Sequence, residues 1–287
     1  MPALASALQR SSATVSYSVF RLEQTLRSAR DSVLLSEDQR SFSKVPLVTL
    51  GFWVIKIAAT TLGETGGDAL SMTLKLGYAV STVIFLAIFV VLVASEIRAK
   101  HFHPYLYWSV IVATTTAGTT LADFCDRSLH IGYLGGSLIL LGLLLTSLAA
   151  WRIVVGHVSF SMISTPRVET FYWATIFTSN TLGTALGDWL ADSAGFGYER
   201  GALVFAGGLL LLALLFFFTK ASRTFLFWAA FILTRPLGAT LGDMLTKPHD
   251  HGGLALDRFV ASGALAAFLV ICILVFPQRP GHHNHGH

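Results

Sequence analysis

Apolar runs at residues 47–62, 77–94, 105–117, 132–151, 171–186, 201–218, 225–241 and 254–276 alternate with short charged stretches along the whole chain. Several fall short of the ~20 residues that span a bilayer as a helix, but each continues into a neighbouring Thr/Gly-rich segment. The pattern predicts an all-α fold, a polytopic transmembrane bundle of eight helices. In alternate runs polar residues recur at helical spacing, so a stripe and not an isolated residue interrupts the apolar face.

Those alternate runs are copies of one another. WVIKIAATTLGETGGD (53–68), WSVIVATTTAGTTLAD (108–123), WATIFTSNTLGTALGD (173–188) and WAAFILTRPLGATLGD (228–243) align without a gap. Trp leads, Gly follows ten positions later and Asp closes at fifteen; a further Gly comes nine positions after each Asp, at Gly77, Gly132, Gly197 and Gly252. The Trp residues are 55, 65 and 55 positions apart, which predicts four two-helix repeats, about 47–98, 103–152, 169–220 and 224–276, arranged as two similar halves.

The fourfold Trp/Gly/Asp pattern resembles the bacterial membrane proteins built from four tandem copies of the repeat known as Domain of Unknown Function 347. The resemblance covers nearly everything but the two tails. It implies an eight-span protein of the bacterial inner membrane and brings no established activity; some such proteins are described as membrane-anchored regulators.

Composition agrees with a membrane protein: 53% of residues are hydrophobic and 13% charged, against roughly 25% charged in soluble domains. Thirteen basic residues fall in the tails and between repeats (Arg10, Arg21, Arg27, Arg30, Arg40, Lys44, Arg98, Lys100, Arg152, Arg167, Lys220, Arg223 and Arg279). Only Lys75, Arg127, Arg200, Lys247 and Arg258 lie in the links inside repeats. The positive-inside rule then puts both termini in the cytoplasm and makes the repeats parallel. Residues 1–46 lack a cleavable signal core, so the first span is expected to act as the insertion signal. Val15, Val19, Leu22 and Leu26, with Arg21, Arg27 and Arg30 interleaved, suit a short interfacial helix or an unstructured tail. Residues 277–287 form a His-rich tail.

Positions seven, eleven and fifteen after each Trp share a helix face. They read Thr60, Glu64, Asp68; Thr115, Thr119, Asp123; Asn180, Thr184, Asp188; and Arg235, Ala239, Asp243. Beside them Gly63 and Gly67, Gly118 and Ala122, Gly183 and Gly187, and Gly238 and Gly242 keep the small-xxx-small spacing of close helix packing, so the stripes are expected to converge inside the bundle. The Trp residues are expected to anchor at the membrane interface. Intramembrane charges pair or line a wet path. Glu64 is expected to pair with Arg235 or Lys56, and Pro236 to free a carbonyl of the preceding turn.

Lys56 and Arg235 are outnumbered by Glu64, Asp68, Asp123, Asp188 and Asp243, and a cation would balance the excess. Carboxylates, with Thr119, Asn180 and Thr184, are oxygen donors suited to Mn²⁺, Mg²⁺ or Ca²⁺, or to protons. The four Asp residues read otherwise as caps of the following turn. The chain has no HExxH, nucleophile elbow, phosphate loop or CxxC, so it is not expected to be an enzyme, and no cofactor or nucleic acid is implied. Three readings follow: a transporter of a small hard cation, divalent or proton-coupled; a carrier of another solute that uses the charges for proton coupling; and a non-transporting scaffold or membrane-anchored regulator.

Overall fold

The computed structural model describes residues 44–156, 158, 163, 165–249 and 252–280. The expected interfacial helix and the His-rich tail at His282, His283, His285 and His287 lie outside the described residues. Within them the chain is all-α, with eight α-helices: α1 Leu50–Asp68, α2 Gly77–Arg98, α3 Pro104–Asp123, α4 Tyr133–Val155, α5 Pro166–Asp188, α6 Gly197–Phe218, α7 Arg223–Thr246 and α8 Arg258–Val275. A single antiparallel bridge joins Pro46 to Pro280.

Local sequence sets both ends of each repeat's first helix. Thr49, Thr165 and Ser222 cap α1, α5 and α7 through their hydroxyls, and Pro104 opens α3 where a missing N–H costs nothing. After the closing Asp, repeats one to three widen into a π-helical turn at Ala69–Thr73, Phe124–Ser128 and Trp189–Ser193. The chain then reverses at Gly77, Gly132, Gly197 and Gly252, whose φ angles of 73–79° explain why glycine stands nine residues past every Asp.

Helices α1, α3, α5 and α7 form a closed ring, each packed on the next and α7 returning to α1. An outer helix leans chiefly on the first helix of the following repeat: α2 on α3, α4 on α5, α6 on α7, and α8 on α1. No repeat buries its own face, and the fourfold arrangement supplies the partner.

Five helices, α2, α4, α6, α7 and α8, are long and apolar enough to cross a membrane. The expected eight spans are therefore eight helices, of which α1, α3 and α5 lack the apolarity. They are of spanning length, 19, 20 and 23 residues, about 28–35 Å at 1.5 Å per residue, and their inward faces carry the Thr, Gly and acidic stripe. The outer helices take the lipid-facing part, with only 11–22% of the residues of their apolar windows buried, against 67% for α7.

The glycines set the spacing of the ring by one cyclic rule. A Cβ on Gly63 would enter the Thr115 side chain, one on Gly118 would lie 3.1 Å from the Thr181 nitrogen, one on Gly183 2.5 Å from Arg235 Cγ, and one on Gly238 would enter Thr60. One turn on, Gly67 faces Thr119, Gly187 faces Ala239 and Gly242 faces Glu64. Each repeat's small residues thus receive the stripe of the next. Two threonines use the approach to bond across it: Thr115 Oγ1 donates to the Ala59 carbonyl and Thr60 Oγ1 to the Thr234 carbonyl, both at 3.3 Å.

Candidate functional site

The four stripes face one axis, along which side chains stack in layers. At the Trp end stand Phe52, Tyr107, Tyr172 and Phe227, each against the Trp of the next repeat: Phe52 on Trp108, Tyr107 on Trp173, Tyr172 on Trp228 and Phe227 on Trp53, with centroids 5.5–6.2 Å apart. Three of the four tryptophans are thus not interfacial anchors as expected, while Trp53 is half-buried. Trp108, Trp173 and Trp228 are 1%, 3% and 8% exposed, because the collar that closes this end of the ring needs their area. The Tyr107 and Tyr172 hydroxyls bond each other at 2.9 Å.

One turn along lies a layer of Lys56, Ile111, Ile176 and Phe231, all fully buried. The Lys56 ammonium has no hydrogen-bond partner; it rests 4.1 Å over the Phe231 ring, and the charge that acts on it is that of Arg235, of like sign. Thr60, Thr115, Asn180 and Arg235 follow, again fully buried, with both amide atoms of Asn180 unpartnered.

Arg235 reaches up into the next layer. Its Nη2 donates to Glu64 Oε2 at 2.9 Å and to the Thr119 and Thr184 hydroxyls, so one guanidinium from α7 is held by all three other ring helices. Ala239, the small member of that layer, sits on the Arg235 helix itself. Glu64 pairs with Arg235, while Lys56 stands apart. Pro236 leaves α7 unbroken and packs its ring against Gly183.

The last layer holds Asp68, Asp123, Asp188 and Asp243, each 1–2% exposed. Three basic groups close over them: Arg127 Nε on Asp123 at 2.8 Å and its Nη2 towards Asp188 at 3.7 Å, Lys247 on Asp243 at 3.2 Å and Asp68 at 3.3 Å, and Arg258 towards Asp68 at 3.6 Å. Burial opposes the charges of Arg127 and Lys247, yet the aspartates hold both protons more tightly than in free side chains.

Arg127, Lys247 and Arg258 read in the sequence as water-side residues of the links. Arg127 and Lys247 return because each lies four residues after its repeat's Asp; Lys247 follows α7 directly, whereas Arg127 comes round through the π-helical turn. The basic groups alter the expected charge balance of the stripe. The metal set expected from Asp68, Glu64, Asp123, Asp188 and Asp243 is held by basic side chains, and among the described residues no three His, Cys, Asp or Glu side chains gather as a metal ion requires.

No curated protein and no solved structure matches the chain. A family profile does, four times in tandem, over residues 51–102, 106–156, 171–222 and 226–277, each match overlying one helix pair and the starts keeping the 55, 65 and 55 spacing of the Trp residues. Those matches cover most of the sequence, and the chain belongs to the family described as Repeat of Unknown Function (DUF347).

Proposed function

We propose that the ring is the pathway of a transporter for a small cation, with protonation of the axial carboxylates as its coupling step. The observation that carries this reading is the Asp layer, in which, among the described residues, four equivalent buried carboxylates meet three basic groups. One proton or one small cation balances the remainder. A second buried ionisable group on the axis is Lys56, twelve residues below Asp68, about 18 Å along the helix. Ionisable groups at such depth are costly and mark ion and proton paths.

A pure scaffold has no use for that column. The basic groups hold the carboxylates where a transported ion would; Arg127 and Lys247, at the mouth, are 29% and 11% exposed and must swing aside first. A divalent metal would have to displace them, whereas a proton would only loosen them. This reading takes the bacterial inner membrane from the family resemblance, and the excess of basic residues in the tails and between repeats supports cytoplasmic termini.

Reconstitution in liposomes tests the proposal, with Mn²⁺, Mg²⁺ and proton movement followed in parallel. Asp68→Asn, Asp123→Asn, Asp188→Asn and Asp243→Asn keep shape and hydrogen bonding while deleting charge. Flux is expected to fall about tenfold or more in each, with folded protein retained. Wild-type behaviour in all four, or no flux of any ion in the wild type, would favour the scaffold or membrane-anchored regulator.

A further inference from the structure

A second buried carboxylate cluster lies at the opposite end of the ring, outside the stripes. Glu96, in the last turn of α2, and Glu169, in the first turn of α5, are each 1% exposed. The Lys44 ammonium pairs with Glu169 and reaches the end of α2, without an ion pair to the Glu96 carboxylate: Nζ lies 2.7 Å from Glu169 Oε1 and donates to the Glu96 and Ile97 backbone carbonyl oxygens at 3.2 Å each. Those carbonyls belong to the C-terminal turn of α2, where backbone oxygens lack helical partners and the dipole favours a cation. Both carboxylate oxygens of Glu96 are buried without a hydrogen-bond partner among the described residues.

We infer that Glu96, Glu169 and the α2 carbonyls form a binding site for a monovalent cation of ammonium size, and that Lys44 is its tethered occupant. Among the described residues two carboxylates face one ammonium, a deficit of one positive charge that still attracts a free cation while Lys44 is present. The oxygens stand 2.7–3.2 Å from the nitrogen. That radius is too large for Mg²⁺ at about 2.0–2.1 Å or Ca²⁺ at about 2.3–2.6 Å. Lys44 arrives on a short strap, residues 44–46, pinned by its own N–H on the Ile163 carbonyl at 3.1 Å and by the Pro46–Pro280 bridge. Glu96 also acts electrostatically on the Tyr107 and Tyr172 hydroxyls of the collar, so the site borders the axis without belonging to its stripes.

The test is thermal unfolding of the purified full chain in detergent, at constant ionic strength, in ammonium, K⁺, Na⁺ or Mg²⁺ against N-methylglucamine. Lys44→Ala should melt about 2–4 °C higher in ammonium and K⁺ than in N-methylglucamine, and the wild type should respond less. Adding Glu96→Gln and Glu169→Gln should abolish the response. The same melting point in every salt, a response that survives the added substitutions, or a preference for Mg²⁺ overturns the site. Should Lys44→Ala not fold, the wild type serves: a hydrophobic carbodiimide should label Glu96 more slowly in ammonium than in N-methylglucamine, and equal rates overturn the site. Asp68→Asn should leave these responses unchanged, so the result stands or falls separately from axial transport.

Discussion

The two ends of the ring axis treat the same fourfold repeat in opposite ways. At the Trp end, four copies make four equivalent contacts, each collar residue on the tryptophan of the next repeat. At the Asp end, four identical carboxylates are bridged unequally, Asp68 by both Lys247 and Arg258, and Asp123 and Asp188 by one shared Arg127. Burial of aromatic surface is non-directional and scales with area, so a repeated sequence yields a repeated contact. Charge in a low-dielectric interior must balance over the whole layer, and a few basic residues in particular copies satisfy all four. Packing preserves the symmetry and charge breaks it.

Breaking the packing rule itself should have the largest effect. Gly63→Val or Gly238→Val places a side chain inside Thr115 or Thr60 and should cost more than the ~1–3 kcal/mol of ordinary overpacking, read as loss of monodisperse protein. Gly66→Ala, where a Cβ meets nothing within 4 Å, should instead gain about 0.5–1 kcal/mol from helix propensity.

Next comes the central ion pair. Glu64→Gln or Arg235→Gln alone strands a buried charge at roughly 3–5 kcal/mol, while the double replacement should cost clearly less than the sum. A double-mutant cycle on melting temperature measures the coupling, and additivity would show the charges to be independent.

The collar can be made more symmetric. Tyr172→Phe leaves the buried Tyr107 hydroxyl without its partner and should cost about 1–3 kcal/mol, whereas Tyr107→Phe with Tyr172→Phe gives the collar four phenylalanines and should be nearly neutral. Unfolding curves of the three variants decide it.

The smallest effect concerns Asp126, in the π-helical turn beside the Asp layer, whose carboxyl burial pushes up to about 6 against the opposing pull of Arg127. An acid raised in the folded state is protonated at no cost below pH ~4 and loses stability as pH rises through 6. Asp126→Asn should therefore stabilise by on the order of 1–2 kcal/mol at pH 7.5 and not at all near pH 4. A pH series of melting temperatures checks the sign.

Trp, Gly and Asp spacing made the repeats, the close packing and the axis legible in the sequence, since each depends on helical periodicity alone. The tryptophans were not legible as collar residues: position near a helix end looks the same for a ring that stacks inward and a belt that faces headgroups. Arg127, Lys247 and Arg258 were counted with the solvent because nothing local to a link reports that it folds back over an acid. Glu96 and Glu169 lie outside the stripes. The positions equivalent to Glu96 hold Trp151, Phe216 and Ile271, so no periodic signal marks it, and it is the contact of α2 with α5, two repeats on, that brings it near Glu169.

The closure of α7 and α8 onto α1 makes distance along the chain a poor guide to energetic coupling. Thr60 bonds the carbonyl of Thr234 across 174 positions by the same contact that Thr115 makes to Ala59 across 56. With Leu47 N–H on the Arg279 carbonyl at 2.9 Å, the two ends of the described chain already meet. A circular permutant that joins them and opens between repeats two and three would keep every helix in its place. Substitutions should accordingly be compensated by ring neighbours, and the first and fourth repeats should co-vary as readily as the first and second.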